Sequence, residues 1–378
     1  MSFKYVSLYS LAEWKNGLAF KQIHFAGQGK PVIKIAELKN GITAQTAYTQ
    51  QTFDDSVYLT KGDMVFSWSG NPETSIDVFW YNLPNGWLNQ HIFKVTPNEG
   101  VHKLYLYYLL KSLKPQFTAI ASNKQTTGLG HVTIRDMKEM MIELPDYDIQ
   151  KSVGEYLYSI DQKVCINQRI NDNLEQQASA LFSSFYDRSN TEVRYTDLIQ
   201  ILGGGTPKTG ENTYWNGNIA FFTPKDVGTP YTLITEKTIT EEGLSHCNSR
   251  LYPVNTVFVT ARGTVGKVGM SGVPMAMNQS CYALVGKETH QLLVYFYTLK
   301  AVDRLKHKAS GAVFDAITTR DFESEQIMKL SDDDAKAFLC IAEPMFQKVL
   351  NNCIENLRLS TLRDSLLPKL MSGEVDVS

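Results

Sequence analysis

The chain repeats itself, and the repeat constrains everything else. Adding 185 to a residue number carries the segment 130–185 onto a second version of itself. Arg135 and Asp136 of VTIRDM fall on Arg320 and Asp321 of ITTRDF, and Gln162, Lys163 and Val164 fall on Gln347, Lys348 and Val349. Asn167, Asn171, Leu174 and Leu181 fall on Asn352, Asn356, Leu359 and Leu366. Upstream the offset drifts, as loop insertions require: Asn89-Gln90 meets Asn278-Gln279, and Val65-Phe66…Gly70 meets Val257-Phe258…Gly263. A chain of 378 residues is also too long for one ordinary domain of ~100–200 residues. The reading is two halves of one plan, divided near Tyr186–Glu192.

Each half reads as a strand-rich part followed by one long helix. Val32–Ile35, Asp63–Phe66 and Ile92–Val95, then Ile219–Phe222, Thr256–Val259 and Ser280–Ala283, are short apolar runs between Gly, Pro and Asn punctuation. Lys103–Ser112 and Gln291–Lys306 carry helical spacing at the same relative place in each half. The expected fold class is α+β, two mixed α/β domains in pseudo-twofold repeat joined by two long helices. The expected boundaries are 1–147 and 189–331 for the domains, and 148–188 and 332–378 for the helices.

Those helices carry the sharpest pattern. Val153, Leu157, Ile160, Val164, Asn167, Asn171, Leu174, Ala178, Leu181 and Phe185 alternate steps of four and three. So do Phe338, Ala342, Met345, Val349, Asn352, Asn356, Leu359, Arg363, Leu366 and Leu370. This is the stripe of a coiled coil. Two asparagines, Asn167 and Asn171 or Asn352 and Asn356, interrupt each stripe at matching places, and a buried amide needs a partner amide to set the register. The expected partners are each other: an antiparallel coiled coil of Asp148–Asp187 with Asp332–Met371, each helix about 55 Å long at 1.5 Å per residue.

Composition closes off several functions. The charge balance is 37 Lys+Arg against 39 Asp+Glu, so any nucleic-acid binding must come from local patches and not from bulk charge. Five cysteines at 165, 247, 281, 340 and 353 show no C-x-x-C spacing, which suits reduced thiols and a cytoplasmic home. The N-terminal segment lacks the order of a signal peptide and no stretch nears 18 apolar residues, so no membrane is expected. Phe25-Ala26-Gly27-Gln28-Gly29 matches the F-x-G-x-G of methyltransferase pockets, but a strand-like run follows where a helix should open, and no Asn/Asp-Pro-Pro-Tyr/Phe motif occurs. Gly263–Lys267 lacks the spacing of a phosphate loop and reads as a hairpin turn. Pro145-Asp146 has no nuclease E-x-K or D-x-K following at a suitable distance in a strand and reads as a loop before the helix. The seven histidines have neither H-x-H nor H-x-x-x-H spacing. No catalytic residue, no metal site and no cofactor are expected in this chain.

What remains is a set of polar, glycine-rich loops at matching places. In the first half these are Trp68-Ser69-Gly70 and Lys124-Gln125-Thr126 through His131. In the second half they are Thr206-Pro207-Lys208, Lys225, Arg262-Gly263-Thr264 through Lys267, and Lys308-Ala309-Ser310. Glycine lets a backbone come close, while Lys, Arg, Ser, Thr and Gln donate to phosphates or base edges. The candidate DNA-contacting residues are therefore Trp68, Ser69, Lys124, Gln125, Thr126, His131, Thr206, Lys208, Lys225, Arg262, Thr264, Lys267, Lys308 and Ser310.

Three segments carry a family resemblance. Gly203-Gly204-Gly205-Thr206-Pro207-Lys208 with Tyr214–Ile219 and Phe222–Val227 resembles the opening of a target recognition domain in the specificity subunit of type I restriction-modification systems. Asn16–Lys21 through Gly29–Ile35 resembles the alternative opening, and Leu362–Val375 the close of the family's distal helix. The first half lacks Gly-Gly-Thr-Pro, so different contacts are expected there. The resemblance implies a non-catalytic reader of double-stranded DNA with one half-site per recognition domain. It also implies that the coiled coil acts as spacer and docks two methyltransferase subunits, which carry S-adenosylmethionine and flip the target adenine, and that motor-nuclease subunits complete the assembly. Readers held ~50 Å apart would leave a spacer within a site spanning about 15 bp. A reader of a related complex that cuts on both sides of its site shares every feature above. A self-contained methyltransferase or nuclease is disfavoured by the missing motifs.

Overall fold

The computed structural model describes residues 3–125, 128–228, 230–308 and 316–375. The chain forms two compact units, Met1–Lys163 with Leu359–Ser378, and Val164–Arg358. The second unit is thus inserted into the first along the chain.

Unit 1 contains strands β1 (Ala12–Asn16), β2 (Lys30–Ile33), β3 (Met64–Ser67), β4 (Asp77–Trp80), β5 (Gly86–Leu88) and β6 (Ile92–Pro97). Helices α1 (Lys103–Ser112) and α2 (Ile134–Glu139) follow, then the first part of α3 (Tyr147–Tyr186). One antiparallel sheet has the order β1-β6-β3-β4. A second holds β2 parallel to β5, flanked by Tyr48–Thr49 and Tyr58–Leu59. Phe3–Ser7 pairs with Met141–Pro145 and closes the unit.

Unit 2 repeats the plan with β7 (Ile199–Gly203), β8 (Trp215–Phe222), β9 (Tyr231–Thr232), β10 (Val257–Thr260), β11 (Val268–Ser271), β12 (Met275–Met277) and β13 (Cys281–Gly286). Helices α4 (Gln291–Lys308), α5 (Thr319–Ser324) and α6 (Asp332–Met371) follow. Its main sheet has the order β7-β13-β10-β11-β9, and β8 runs parallel to β12 in the smaller one. Thr191–Arg194 pairs with Gln326–Lys329 as the closing strands do in unit 1.

The recurring RD segments are helix starts. Thr133 accepts from the Asp136 N–H while the Asp136 carboxylate accepts from the Thr133 N–H, and Thr318 and Asp321 do the same. Each is a capping box, which satisfies donors that the first helical turn leaves unpaired.

The strand readings need three corrections. The run Val32–Ile35 stops at Ile33, because the buried Glu37 carboxylate accepts from the Lys34 N–H at 3.0 Å and Ile35–Asn40 turns helical. The pairing of Val65 with Val257 is one residue out of step. Ser67 faces Ile92 as Thr260 faces Cys281, so Val65 corresponds to Phe258 and Phe66 to Val259. A one-residue slip moves every side chain to the other sheet face, and the cores agree: Phe66 and Val259 both lie in the core under the helices, Val65 and Phe258 in the outer one. Pro145, read as loop, ends a strand.

Both long helices form, α6 at the expected bounds and α3 one residue earlier than expected at each end. In unit 2, Asn352 donates to Asn171 at 2.8 Å and Asn167 donates to Asn356 at 2.9 Å. In unit 1, Arg363 donates to Asp161 at 2.6 Å. In unit 2 numbers fall on one helix as they rise on the other, so the segments there run antiparallel. The stripe shifts at the end of α3, where Phe182 and Tyr186 are buried and Leu181 and Phe185 only half-buried. The cause is that α3 must also cover the domain: Phe182 stacks on Phe296 of α4 at 5.0 Å as well as meeting Phe338 of α6 at 5.4 Å.

Candidate nucleic-acid interface

Unit 2 gathers its polar loops by backbone hydrogen bonds. Gly204 lies so close to the neighbouring chain that a Cβ would sit 2.1 Å from the Asn278 carbonyl oxygen. Only glycine permits that approach. It brings the following residues to Asn278–Ser280, where the Thr206 hydroxyl donates to Gln279. Ser280 in turn accepts from the Ala261 N–H at 2.8 Å, and the Ala261 carbonyl accepts from the Ile317 N–H at 2.9 Å. Arg262 bridges Ala316, and Thr264 donates to the Pro224 carbonyl at 3.2 Å. Five segments distant in sequence therefore converge, and Thr206, Arg262, Thr264 and Lys225 are exposed on them. The segment 261–267 is the turn of the β10–β11 hairpin, closed by Gly266 N–H donating to Thr260 and Thr260 N–H donating to Lys267.

Unit 1 builds the same junction with different side chains. A Cβ on Gly17 would lie 2.1 Å from the Asn89 carbonyl oxygen, so Gly17 is the counterpart of Gly204 although Gly-Gly-Thr-Pro is absent. Trp68 N–H donates to His91 as Ala261 does to Ser280, and Val132 N–H donates to Trp68 as Ile317 does to Ala261. Ser69 and Gly70 pair with His131 and Gly130. Trp68 fills the place of Ala261: its indole N–H donates to Asn16 at 3.0 Å and its ring stacks on Phe93 at 5.7 Å, half-exposed beside His91.

The expected residues are thus partly brought together. Trp68, Ser69 and His131 join in unit 1; Thr206, Arg262, Thr264 and Lys225 join in unit 2. Lys124 is ion-paired to Asp136, whose burial raises its pKa while the Lys124 and Thr133 hydrogen bonds lower it further, for a net lowering. Lys225 pairs with Glu236 at 3.4 Å. Lys308 is drawn to Glu325, which is 1% exposed and also faces Arg304. Gln125, Lys208 and Lys267 are exposed. Thr126 and Ser310 lie outside the described residues. Sequence reasoning missed Gln279 and Asn16 as partners of the loops; the recurrence of Asn89-Gln90 as Asn278-Gln279 was the signal for the first.

Phe25–Gly29 leads into β2, a strand, as its sequence context indicated. Among the described residues no group of three or more His, Cys, Asp or Glu is placed to hold a metal, and no helix is long and apolar enough to cross a membrane.

A strand-and-helix unit is thus made twice, each copy gathering glycine-rich polar loops at one junction and each backed by a long helix. The chain belongs to the family of the type I restriction modification DNA specificity domain, whose family model matches residues 2–176 and 188–329. It is 22% identical to the type I restriction enzyme HindI specificity subunit of Haemophilus influenzae, over 84% of this chain and 87% of that one. It is 27% identical to the EcoR124I/EcoR124II specificity subunit of Escherichia coli, over about half of each. The crystal structure of the type I restriction-modification S subunit from M. genitalium shares the fold, with a TM-score of 0.60 at 15% identity, covering 98% of this chain and 96% of that one. The protein is a non-catalytic DNA-recognition subunit of a type I restriction-modification system, working on DNA together with the other subunits of that complex.

Proposed function

We propose that each unit reads one half of a split DNA target through its converged loops. In unit 2, Thr206, Lys208, Lys225, Arg262, Thr264 and Lys267 are the contacting residues; in unit 1, Trp68, Ser69, Lys124, Gln125 and His131. The observation that carries this reading is the repeated junction: Arg262 beside Ala316 and Ser69 beside His131 occupy equivalent places, so Arg262 and Ser69 present donors from the same loop of each copy. Donors on rigid backbone pairs suit base edges, and exposed lysines beside them suit phosphates. Lys124 and Lys225 exchange their carboxylate partners for phosphates on binding.

The segments 148–188 and 332–378 act as an antiparallel coiled coil that spaces the recognition domains 1–147 and 189–331 and docks two methyltransferase subunits. Those partners supply S-adenosylmethionine and the adenine pocket, and motor-nuclease subunits join for cleavage. The site of action is the cytoplasm, where the chromosome lies. Sequencing the methylome of a host carrying the complex tests the reading. The expected result is one bipartite methylated motif with an unread spacer; an uninterrupted motif overturns it.

A further inference from the structure

The two main sheets differ by one strand. In unit 2 the outer edge of β11 is covered by β9, which runs parallel to it, with Met270 N–H donating to Pro230 and Gly272 N–H to Thr232, both at 2.7 Å. The equivalent strand in unit 1 is β4, because Trp80 faces Met64 as Met270 faces Val257. Nothing among the described residues pairs with the outer edge of β4.

The direction of the free groups follows from alternation. Tyr81 N–H donates inward to Asp63 at 2.8 Å, so the N–H groups of Trp80 and Asn82 point outward, where Met270 and Gly272 make their bonds in unit 2. The outward N–H of Val78 is taken by its neighbour, the Asp77 carboxylate, at 2.8 Å. The Trp80 indole N–H, sealed from solvent, has no partner either. Cations border this edge. Lys103 lies over the Trp80 ring at 5.2 Å, Lys111 over Phe79 at 5.5 Å, and Lys111 and Lys114 both hold Asp77. Charged side chains guard edge strands against indiscriminate pairing; the single Asp77 carboxylate answers only part of the charge of Lys111 and Lys114, so with Lys103 the edge keeps an excess of positive charge, which selects a partner of the other sign.

We propose that the outer edge of β4 receives an extended acidic segment of a partner protein, which adds a parallel strand where unit 2 uses its own β9. Main-chain bonds to Trp80 and Asn82 give the affinity and Lys103, Lys111 and Lys114 select the acidic flanks, the usual division of labour in strand addition. The proposal is independent of which residues touch DNA.

The test uses the full-length chain and a synthetic peptide bearing the Pro230–Ile234 sequence between paired glutamates. Binding is expected to slow amide exchange at Trp80 and Asn82. The same peptide with lysines in place of the glutamates is expected to bind about tenfold more weakly. Asn82→Pro removes one donor at an exposed position and should weaken binding about fivefold, in line with one net hydrogen bond; Lys103→Glu should weaken only the glutamate peptide. Unchanged exchange at Trp80 and Asn82, or equal affinity for the two peptides, overturns the proposal. So does slowing of the same amides by duplex DNA of unrelated sequence with no effect of peptide, which would assign the lysines to phosphates. If Asn82→Pro disturbs folding, seen by circular dichroism, the exchange measurement on the natural chain decides.

Discussion

Asn352 donates its side-chain amide to Asn171, and the repeat offset turns this pair into Asn167 with Asn356, the other hydrogen-bonded pair of the seam. One register therefore joins both pairs, and a shift of either helix by four residues would leave a single Asn–Asn pair, Asn171 with Asn356 or Asn167 with Asn352.

Asn352→Ala strands the Asn171 oxygen in a buried place, and the urea midpoint of unit 2 is expected to fall by the equivalent of about 1–3 kcal/mol. Asn167→Leu with Asn352→Leu should keep the helices paired while loosening their register. The readout is the spacer length in the methylated motif, and an unchanged spacer with unchanged helix register would count against the seam's role.

Arg262→Ala in the assembled complex should relax sequence preference at one position of a single half-site, since a bidentate base contact discriminates by about 1–3 kcal/mol. Methylome sequencing reads this directly. A uniform loss of methylation across all sequences would assign Arg262 to phosphate instead. Gly204→Ala and Gly17→Ala should each abolish methylation with little change in helix content, because the added Cβ displaces the loop junction.

Acid should weaken unit 1 through Asp77. Burial raises its pKa, but Lys111 and Lys114 together outweigh burial and hold the carboxyl below its ordinary value of 3.8. Its contribution is therefore complete above pH 3.8 and lost as pH falls through the lower folded value. With Lys111→Met and Lys114→Met, burial acts alone and the sign reverses, so acidification should relieve part of the variant's destabilisation. Thermal melts of both proteins between pH 6 and 3 check the opposite slopes.

The thiols should separate by accessibility. Burial, with a smaller push from Asp226, raises Cys281 to about 12, whereas Cys340 is exposed. A thiol reagent at neutral pH is expected to modify Cys340 in the folded chain and Cys281 only after unfolding, since the thiolate is the reactive form. Mass spectrometry of the labelled peptides locates the adducts.

Much of this was legible in sequence because it is local. Lys103–Ser112 and Asp332–Met371 form at the bounds that their apolar spacing indicates, and the Asn pairs follow from position alone. The misread features depend on third parties. Phe182 replaces Leu181 on the buried face because α4 packs there, and no heptad pattern contains α4. The partnership of Ser69 with His131 joins loops far apart in the chain, and their polar composition says nothing of which loop meets which. Glu37 ends a strand early through a hydrogen bond that Val-Ile composition does not show.

The insertion of one unit inside the other has a consequence for biosynthesis. The core of unit 1 includes Leu370 together with Val153 and Leu157, and Arg363 completes the Asp161 pair. A ribosome makes Val164–Arg358 before it reaches those residues. Unit 2 has all of its segments while unit 1 still shows water the apolar flank that Leu370 will cover, so the unit begun first is finished last.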